Sequence, residues 1–355
     1  MIFSKPTAFG LDLSDLSIKL ALLKTHAGKI ALDSFSRQEI QEGIIESGAI
    51  KKEQALIDVV KRTIAEAKGE KIKTKFCIVS LPETVSYVRV ISLPKIRKEE
   101  MNEAIKWELE ANIPVAVSDV YYDWQLISGQ NNLSDRCEIL IGALPKALID
   151  PYLDVIKKTG LSPMAFEIES IATARALIKD GIRAEATMIV DIGAKRTSLI
   201  IYKNNAVWLT TSLPVSNNLL IEDIARALKT TNEKAKQAKF EIGLDCDKKN
   251  FRVCKAMEPK LLELITEINK YLAYWQTSNK AKGLPQSRAL KILLCGGGAN
   301  LGGLAVFLSS HLKTKVEIGN PWINIFGDVP DKVPELPFSE SLAYTTAIGL
   351  ALRGI

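Results

Sequence analysis

Residues 9–24, FGLDLSDLSIKLALLK, and residues 188–203, MIVDIGAKRTSLIIYK, repeat one pattern about half a sequence apart. In each, an apolar strand reaches an aspartate, Asp12 or Asp191, and a short turn of small and polar residues leads into a second apolar strand. A carboxylate at the end of an apolar strand is costly unless it meets a cation, water or a donor. A single aspartate could simply cap its own turn, but the repetition favours two related hairpins that share a ligand.

A third stretch, KILLCGGGANLGGLAVFLSSHL at residues 291–312, places Gly296, Gly297 and Gly298 between an apolar strand and an amphipathic segment. Glycines let a turn approach a ligand closely, although a tight strand-to-helix connection without a ligand is the alternative. The triplet lacks the Gly-Lys-Ser/Thr of a P-loop and the acidic ribose ligand of a dinucleotide fingerprint. Together, two hairpins and a late glycine turn favour a nucleotide clamped between two related domains.

Bulk properties indicate a folded protein of more than one domain. The chain has 355 residues, 47% hydrophobic content and a net charge of +6. No basic stretch interleaved with aromatic residues marks a nucleic-acid groove, so we expect no nucleic-acid partner. The first residues lack the apolar region of a signal peptide, and no run approaches the roughly twenty apolar residues of a membrane span. We therefore expect a cytoplasmic protein that meets a membrane only through partners.

The order of elements predicts an insertion in the first domain. Residues 7–46 have the alternation of an antiparallel meander, and residues 52–68 have helical spacing that we expect to end at Gly69. Strand, strand, helix, strand, strand, helix then follow within 75–160, with helices predicted at 98–112 and 146–158. We therefore predict an inserted α+β subdomain over 75–160.

The remaining segments complete two core domains. We assign 1–74 and 161–186 to the first core domain and 187–355 to the second. Helices are predicted over 218–240, with a break near Thr230 and Thr231, and over 257–279. A strand at 290–295, a helix at 299–312 and a terminal helix at 339–352 close the chain.

The whole chain resembles the PilM family of type IV pilus assembly proteins, relatives of FtsA in the actin-like ATPase superfamily. The two hairpins resemble the phosphate motifs of that superfamily. More specific are ELEANIPVAVSDVYYDW at 108–124 and the Gly-Asn-Pro-Trp that follows the glycine turn. The resemblance implies an α/β actin-like fold, with two ribonuclease-H-like core domains and the small inserted α+β subdomain.

The resemblance also implies a site for ATP or ADP with Mg²⁺. Asp12 and Asp191 would face the ion, mainly through water, and Glu169 would orient an attacking water. The implied phosphate contacts are Ser14, Ser17 and Lys19 from the first hairpin, and Gly193, Ala194, Lys195 and Thr197 from the second. Gly296, Gly297 and Gly298 would line the adenosine, and Lys239 would approach the ribose or base.

Some positions depart from the family pattern. Ser14 stands where glycine is usual, Ser216-Asn217-Asn218 replaces a more usual Gly-Gly, and Lys236 stands where an acidic ribose contact is common. These departures are compatible with nucleotide binding and leave hydrolysis open. We expect at most a slow ATPase, with a pseudo-ATPase as the alternative.

The resemblance implies an assembly platform that binds the cytoplasmic N-terminal tail of a PilN-like inner-membrane protein, in a groove between the inserted subdomain and the first core domain. Trp107, Tyr121, Tyr122 and Trp124 are candidates to line it, although an ordinary core position is favoured for Trp107. Two alternatives stay open: a kinase of the same superfamily, for which no convincing base is found, and an FtsA-like filament. A homo-oligomer also stays open.

Overall fold

The computed structural model describes residues 6–113, 115–128, 136–180, 186–245, 250–281, 290–326 and 334–355. The strands are β1 (Phe9–Leu13), β2 (Ser17–His26), β3 (Lys29–Glu39), β4 (Ile45–Glu46), β5 (Ala49–Ile50), β6 (Lys68–Gly69), β7 (Phe76–Leu81), β8 (Tyr87–Pro94), β9 (Val120–Ser128), β10 (Arg136–Pro145), β11 (Ser162–Ile168), β12 (Thr187–Ile192), β13 (Thr197–Lys203), β14 (Ala206–Leu213), β15 (Lys291–Cys295) and β16 (Val316–Ile318). The helices are α1 (Glu53–Ala65), α2 (Lys98–Asn112), α3 (Lys146–Lys158), α4 (Glu169–Leu177), α5 (Asn217–Leu228), α6 (Asn232–Ile242), α7 (Phe251–Ala281), α8 (Leu304–Leu312), α9 (Phe338–Ser341) and α10 (Thr345–Arg353). Within these ranges every helix is too short or too polar to cross a bilayer.

Two sheets share one strand arrangement. The first has the order β11-β7-β1-β2-β3-β6, and the second has the order β14-β13-β12-β15-β16. In each, an antiparallel meander (β1-β2-β3 or β12-β13-β14) is extended by two parallel strands (β7 and β11, or β15 and β16). The two repeated sequence hairpins are therefore the matching corners of two similarly built domains.

The central strands are buried on both faces, which is why they are almost continuously apolar. In β1 all five residues are buried. Leu11 and Leu13 pack into a core that includes residues of α1 and α3. On the other face Gly10 lies against α10, where a Cβ would meet Ala347 O at 2.1 Å. Glycine at this position lets the terminal helix lie directly on the sheet.

A third sheet, β8-β10-β9, carries α2 on one face. The predicted range of 75–160 for the inserted subdomain is wrong at both ends. Strand β7 pairs with β1 and β11 in the first sheet, and α3 packs against α1 in the core of that sheet. The insertion is thus confined to β8, α2, β9 and β10.

The predicted assignment of 187–355 to the second domain is also wrong for its C-terminal helix. Helix α10 packs on α4, β1 and β2 of the first domain. Close approach requires Gly349, because a Cβ there would meet Ala172 O at 1.8 Å. The chain therefore returns to the first domain after completing the second.

Several predicted element boundaries need correction, while the bounds of α2 and α3 match the prediction. Helix α1 ends at Ala65, and Lys68–Gly69 forms strand β6 beside β3. Helix α8 begins at Leu304, after a 3₁₀ turn at Gly297–Asn300. On α2, Trp107 is 69% exposed, so its favoured core position is wrong. The core side of α2 carries Met101, Ile105 and Leu109 instead.

Candidate functional site

The two hairpin turns and the glycine turn line one cleft between the two domains, with a volume of about 480 Å³. Parallel pairing of β12 with β15 sets Asp191 beside Cys295, immediately before the glycine turn. The cleft brings together twelve of the fourteen predicted site residues: Asp12, Ser14, Ser17, Lys19, Glu169, Asp191, Gly193, Ala194, Lys195, Gly296, Gly297 and Gly298. Thr197 and Lys239 lie outside it.

Asp12 is held by neighbours on two strands. Lys19, its cross-strand partner, donates from Nζ to Oδ2 over 2.9 Å. Ser80 on β7 donates to Oδ1 over 3.1 Å. Lys19 was predicted to contact phosphate, and in this structure the anion it contacts is Asp12. Both side chains line the cleft, so a phosphate entering the hairpin would compete with Asp12 for the ammonium group.

The carboxyl groups of Asp12, Glu169 and Asp191 line the cleft. Burial, followed by the charge of Asp12, raises the pKa of Asp191 to about 6. Burial also raises the pKa of Glu169 well above its usual value, and the charges of Asp12, Glu83 and Asp191 add to that rise. Such mutual repulsion disfavours ionisation of the group as a whole. A cation among these carboxyls would remove much of that cost.

The glycine triplet divides into two roles. At Gly296, where φ is +80°, a Cβ would meet Asp191 Oδ1 at 2.2 Å, and at Gly298 it would meet Ile192 Cγ2 at 2.3 Å. These two glycines are required by packing against the end of β12. Gly297 has only Ala343 Cβ nearby, at 3.8 Å, so it is the member of the triplet with open space for a ligand.

Thr197 does not face the cleft. Its side chain is fully buried, and its hydroxyl donates to Val215 O over 2.7 Å. Successive residues of a strand point to opposite faces, and Ser198 is the one that lines the cleft, paired in register with Asp191. The structure therefore turns Thr197, the predicted phosphate contact, away from the cleft, and the neighbouring Ser198 lines the cleft instead.

Two ion pairs join the domains across the cleft. Arg196 in the second turn contacts Asp15 in the first turn, with Nη2 and Oδ2 2.6 Å apart. Lys195 contacts Glu42 over 3.1 Å. Asp15 also accepts from the backbone N–H of Gly48. Sequence reasoning missed Asp15 and Arg196, although the opposite charges in the two related turns were a usable signal.

Lys239 lies in a second cavity of about 860 Å³ beside the cleft. The two cavities share lining residues, among them Asn217, Lys236 and Gly297. Lys239 is 7% exposed, and burial, followed by the charge of Lys236, lowers its pKa to about 8. Among the described residues no carboxylate lies within ion-pair distance of either lysine.

A third cavity, of about 700 Å³, lies where β8 of the insertion meets β14 of the second domain. Glu83, Thr210 and Trp275 line it, and their buried polar side-chain atoms make no hydrogen bond of ordinary geometry within the described residues. Burial raises the pKa of Glu83 to about 7, against the effect of the nearby Thr210 and Ser170 hydroxyls. None of the four aromatic residues suggested for the partner groove lines this cavity.

Known structures share this architecture. The chain superposes on a PilM–PilN type IV pilus biogenesis complex with a TM-score of 0.81 and 24% identity, covering 99% of both chains. It also resembles MreB5 of Spiroplasma citri bound to AMPPNP, with a TM-score of 0.56 and 13% identity over 98% of this chain and 96% of that one. The predicted actin-like fold is confirmed.

Curated relatives are cell division proteins FtsA. The protein from Neisseria meningitidis serogroup B is 24% identical over 285 residues, which cover 72% of this chain and 66% of the relative. The Escherichia coli K12 protein is 24% identical over 220 residues, covering 56% of this chain and half of the relative. The chain thus spans only part of these proteins. The sequence profile of type IV pilus assembly protein PilM, in contrast, matches residues 10–355, and the chain belongs to that family.

Proposed function

We propose that the protein binds ATP or ADP in the cleft between its two domains. The observation that carries this proposal is the convergence of two hairpin aspartates, Asp12 and Asp191, with the open Gly297 of the glycine turn in one cavity. Turns of small residues present backbone N–H groups to phosphates. The likeness to MreB5, a protein solved with AMPPNP, supports the same kind of ligand.

The carboxyl cluster fits a hydrated magnesium ion. Among the described residues no group of three or more histidine, cysteine, aspartate or glutamate side chains is arranged as a direct metal site. Magnesium usually keeps several waters and takes one or two protein carboxylates together with phosphate oxygens. Asp12 and Asp191 would hold it in that manner, and the ion would supply charge neutralisation to the phosphates.

Any hydrolysis in this cleft would be slow. Phosphoryl transfer depends on positioning and electrostatic stabilisation, including a group that orients the attacking water. Glu169 at the start of α4 lines the cleft and fits that role by location. Burial and the neighbouring carboxylates raise its pKa and so disfavour its ionised form, and a cation bound nearby would favour the carboxylate that orients water.

We further propose that the protein is a platform for the cytoplasmic N-terminal tail of a PilN-like inner-membrane protein. The likeness to a PilM–PilN complex supports this partner. The expected groove lay between the inserted subdomain and the first core domain, whereas the third cavity lies between the insertion and the second domain. We propose the third cavity because β8 and β14 are edge strands of their sheets and edge strands accept an added strand. Backbone N–H and C=O groups of a tail would also satisfy the unpaired atoms of Glu83 and Trp275. Binding would hold the protein at the inner face of the cytoplasmic membrane.

Filling the cavity tests this assignment. Thr84 is an exposed residue that lines it, so Thr84→Trp obstructs the cavity with little expected effect on folding. The probe is a synthetic peptide of the N-terminal tail of the PilN-like protein from the same organism, titrated by calorimetry. We expect at least tenfold weaker binding by Thr84→Trp and unchanged binding by Trp107→Ala and Tyr121→Ala. Loss of binding in the aromatic variants alone would place the tail on the surface of α2 and β9 instead.

A further inference from the structure

Lys239 is a buried cation whose charge nothing in the described structure balances. It lies on α6, three residues after Lys236, so both side chains occupy one face of that helix. Lys236 is exposed and Lys239 is 7% exposed. A buried charge is normally paired with an opposite one. Two like charges without a carboxylate partner are therefore the arrangement expected of an anion-binding site.

The anion does not belong to the phosphate chain of the nucleotide. Lys19, Lys195 and Arg196 line the cleft between the hairpins and can meet a 5′-phosphate chain there. Lys239 lines the second cavity and is not among the residues that line the cleft. The second cavity and the cleft share Lys236 and Gly297 among their lining residues. In the proposed binding mode, with the phosphates between the hairpins, the ribose would lie on this shared side. An anion next to Lys239 would thus lie at the sugar end of the ligand.

Other charges in the second cavity leave the two lysines available. Arg37 pairs with Glu39, and Glu66 accepts a hydrogen bond from Gln38. Lys68 lies over the ring of Phe35. Glu233 and Glu340 line the cavity but form no ion pair with either lysine. Burial, followed by the charge of Lys236, lowers the pKa of Lys239 to about 8.

We propose that the second cavity binds an anionic group on the ribose, so that the preferred ligand is a nucleotide carrying an additional phosphate at its 2′ or 3′ position. This inference rests on the proposed nucleotide function and specifies its ligand class. Lys239 would form the buried contact, and Lys236 at the rim would add a weaker, salt-sensitive contribution. An ordinary nucleotide would leave the buried ammonium group without an anion.

Calorimetric titration with two matched ligands tests the proposal. The probes are ADP and the same nucleotide bearing a 3′-phosphate, each with Mg²⁺, and the 2′-phosphate isomer is a second arm. We expect at least tenfold tighter binding of one phosphorylated form, which corresponds to about 1.4 kcal/mol. Equal or weaker binding of both phosphorylated forms would overturn this inference and leave the nucleotide proposal standing. Failure of every nucleotide to bind would instead overturn the nucleotide proposal.

Lys239→Met supplies the side-chain test, because it keeps the length of the side chain and removes its charge. We expect the variant to lose the preference for the phosphorylated ribose, so that the two ligands bind with similar affinity. It should also raise the melting temperature of the free protein, since an unpaired buried cation is removed. Lys234→Met, an exposed lysine of the same helix, is the control and should change neither property. An equal loss of affinity for both ligands would contradict a dedicated ribose-phosphate contact.

Discussion

Arg196 in the turn of the second hairpin contacts Asp15 in the turn of the first, with Nη2 and Oδ2 2.6 Å apart. The contact joins the two domains directly across the candidate nucleotide cleft. The side chain of Asp15 is 9% exposed, so loss of the arginine would leave a largely buried carboxylate without its cation. The pair is therefore a specific link between the two halves of the molecule in its free form.

Removing this link should destabilise the free protein more than removing its neighbour. We expect Arg196→Ala to lower the free energy of unfolding by about 2 kcal/mol, because the largely buried Asp15 loses its cation and keeps the weaker contact from the Gly48 N–H. Lys195→Ala should cost at most about 0.5 kcal/mol, since its partner Glu42 is 79% exposed and screened by water. Urea unfolding of both variants measures the difference. Similar losses in the two variants would contradict a special role for the Arg196 contact.

Substitutions at Thr197 and Ser198 should affect different properties, the stability of the protein at Thr197 and nucleotide binding at Ser198. Thr197→Val removes a buried hydroxyl that donates to Val215 O, and we expect a loss of about 1 kcal/mol in stability with unchanged nucleotide affinity. Ser198→Ala removes a hydroxyl that lines the cleft, and we expect weaker nucleotide binding with little loss of stability. Urea unfolding and nucleotide titration of each variant provide the check. The opposite pattern would restore Thr197 as the phosphate contact.

Glu83 should make stability fall as pH rises. Its pKa in the folded protein is about 7, above the usual value, so the folded state binds the proton more tightly than the unfolded state. The resulting cost begins near the usual pKa of a glutamate, grows up to about pH 7 and then levels off. Glu83→Gln should therefore be more stable than the parent above pH 7, by about 3 kcal/mol.

Melting temperatures measured from pH 5 to pH 8 test this expectation. The curves of Glu83→Gln and the parent should converge at low pH and diverge as pH rises. Glu340→Gln, which changes an exposed carboxyl, serves as the control. Parallel curves for Glu83→Gln and the parent would show that ionisation of Glu83 does not reduce the stability of the folded protein.

The local elements were predictable because each is encoded by a short, strong pattern. Apolar and polar residues alternate in the two strands of the hairpin around Asp12. The apolar positions of α2 recur at helical spacing, and Ile105 and Leu109 among them are fully buried. Thr231 caps α6 by accepting from the backbone N–H of Lys234, as its position between two helical patterns indicated. In these places local propensity and tertiary packing agree.

Long-range pairing could not be predicted from such patterns. The apolar sequence of β7 is compatible with a strand of the first sheet and with a strand of the insertion. Its pairing with β1 assigns it to the first sheet. The return of α10 to the first domain depends on contacts with β1 and α4, which are distant in sequence. At Thr197 and Ser198 the strand register decides which hydroxyl enters the cleft, and a shift of one residue reverses the answer.

The thermal shift produced by Mg-ATP tests the central claim most directly. Ligand that binds only the folded state at a hundredfold excess over its dissociation constant stabilises it by about 2.7 kcal/mol. We predict a clear rise in the melting temperature of the parent and of Asp58→Ala, an exposed carboxylate on α1, and no rise for Asp191→Ala. No rise for the parent at millimolar Mg-ATP, or an undiminished rise for Asp191→Ala, would contradict nucleotide binding between the paired aspartate hairpins.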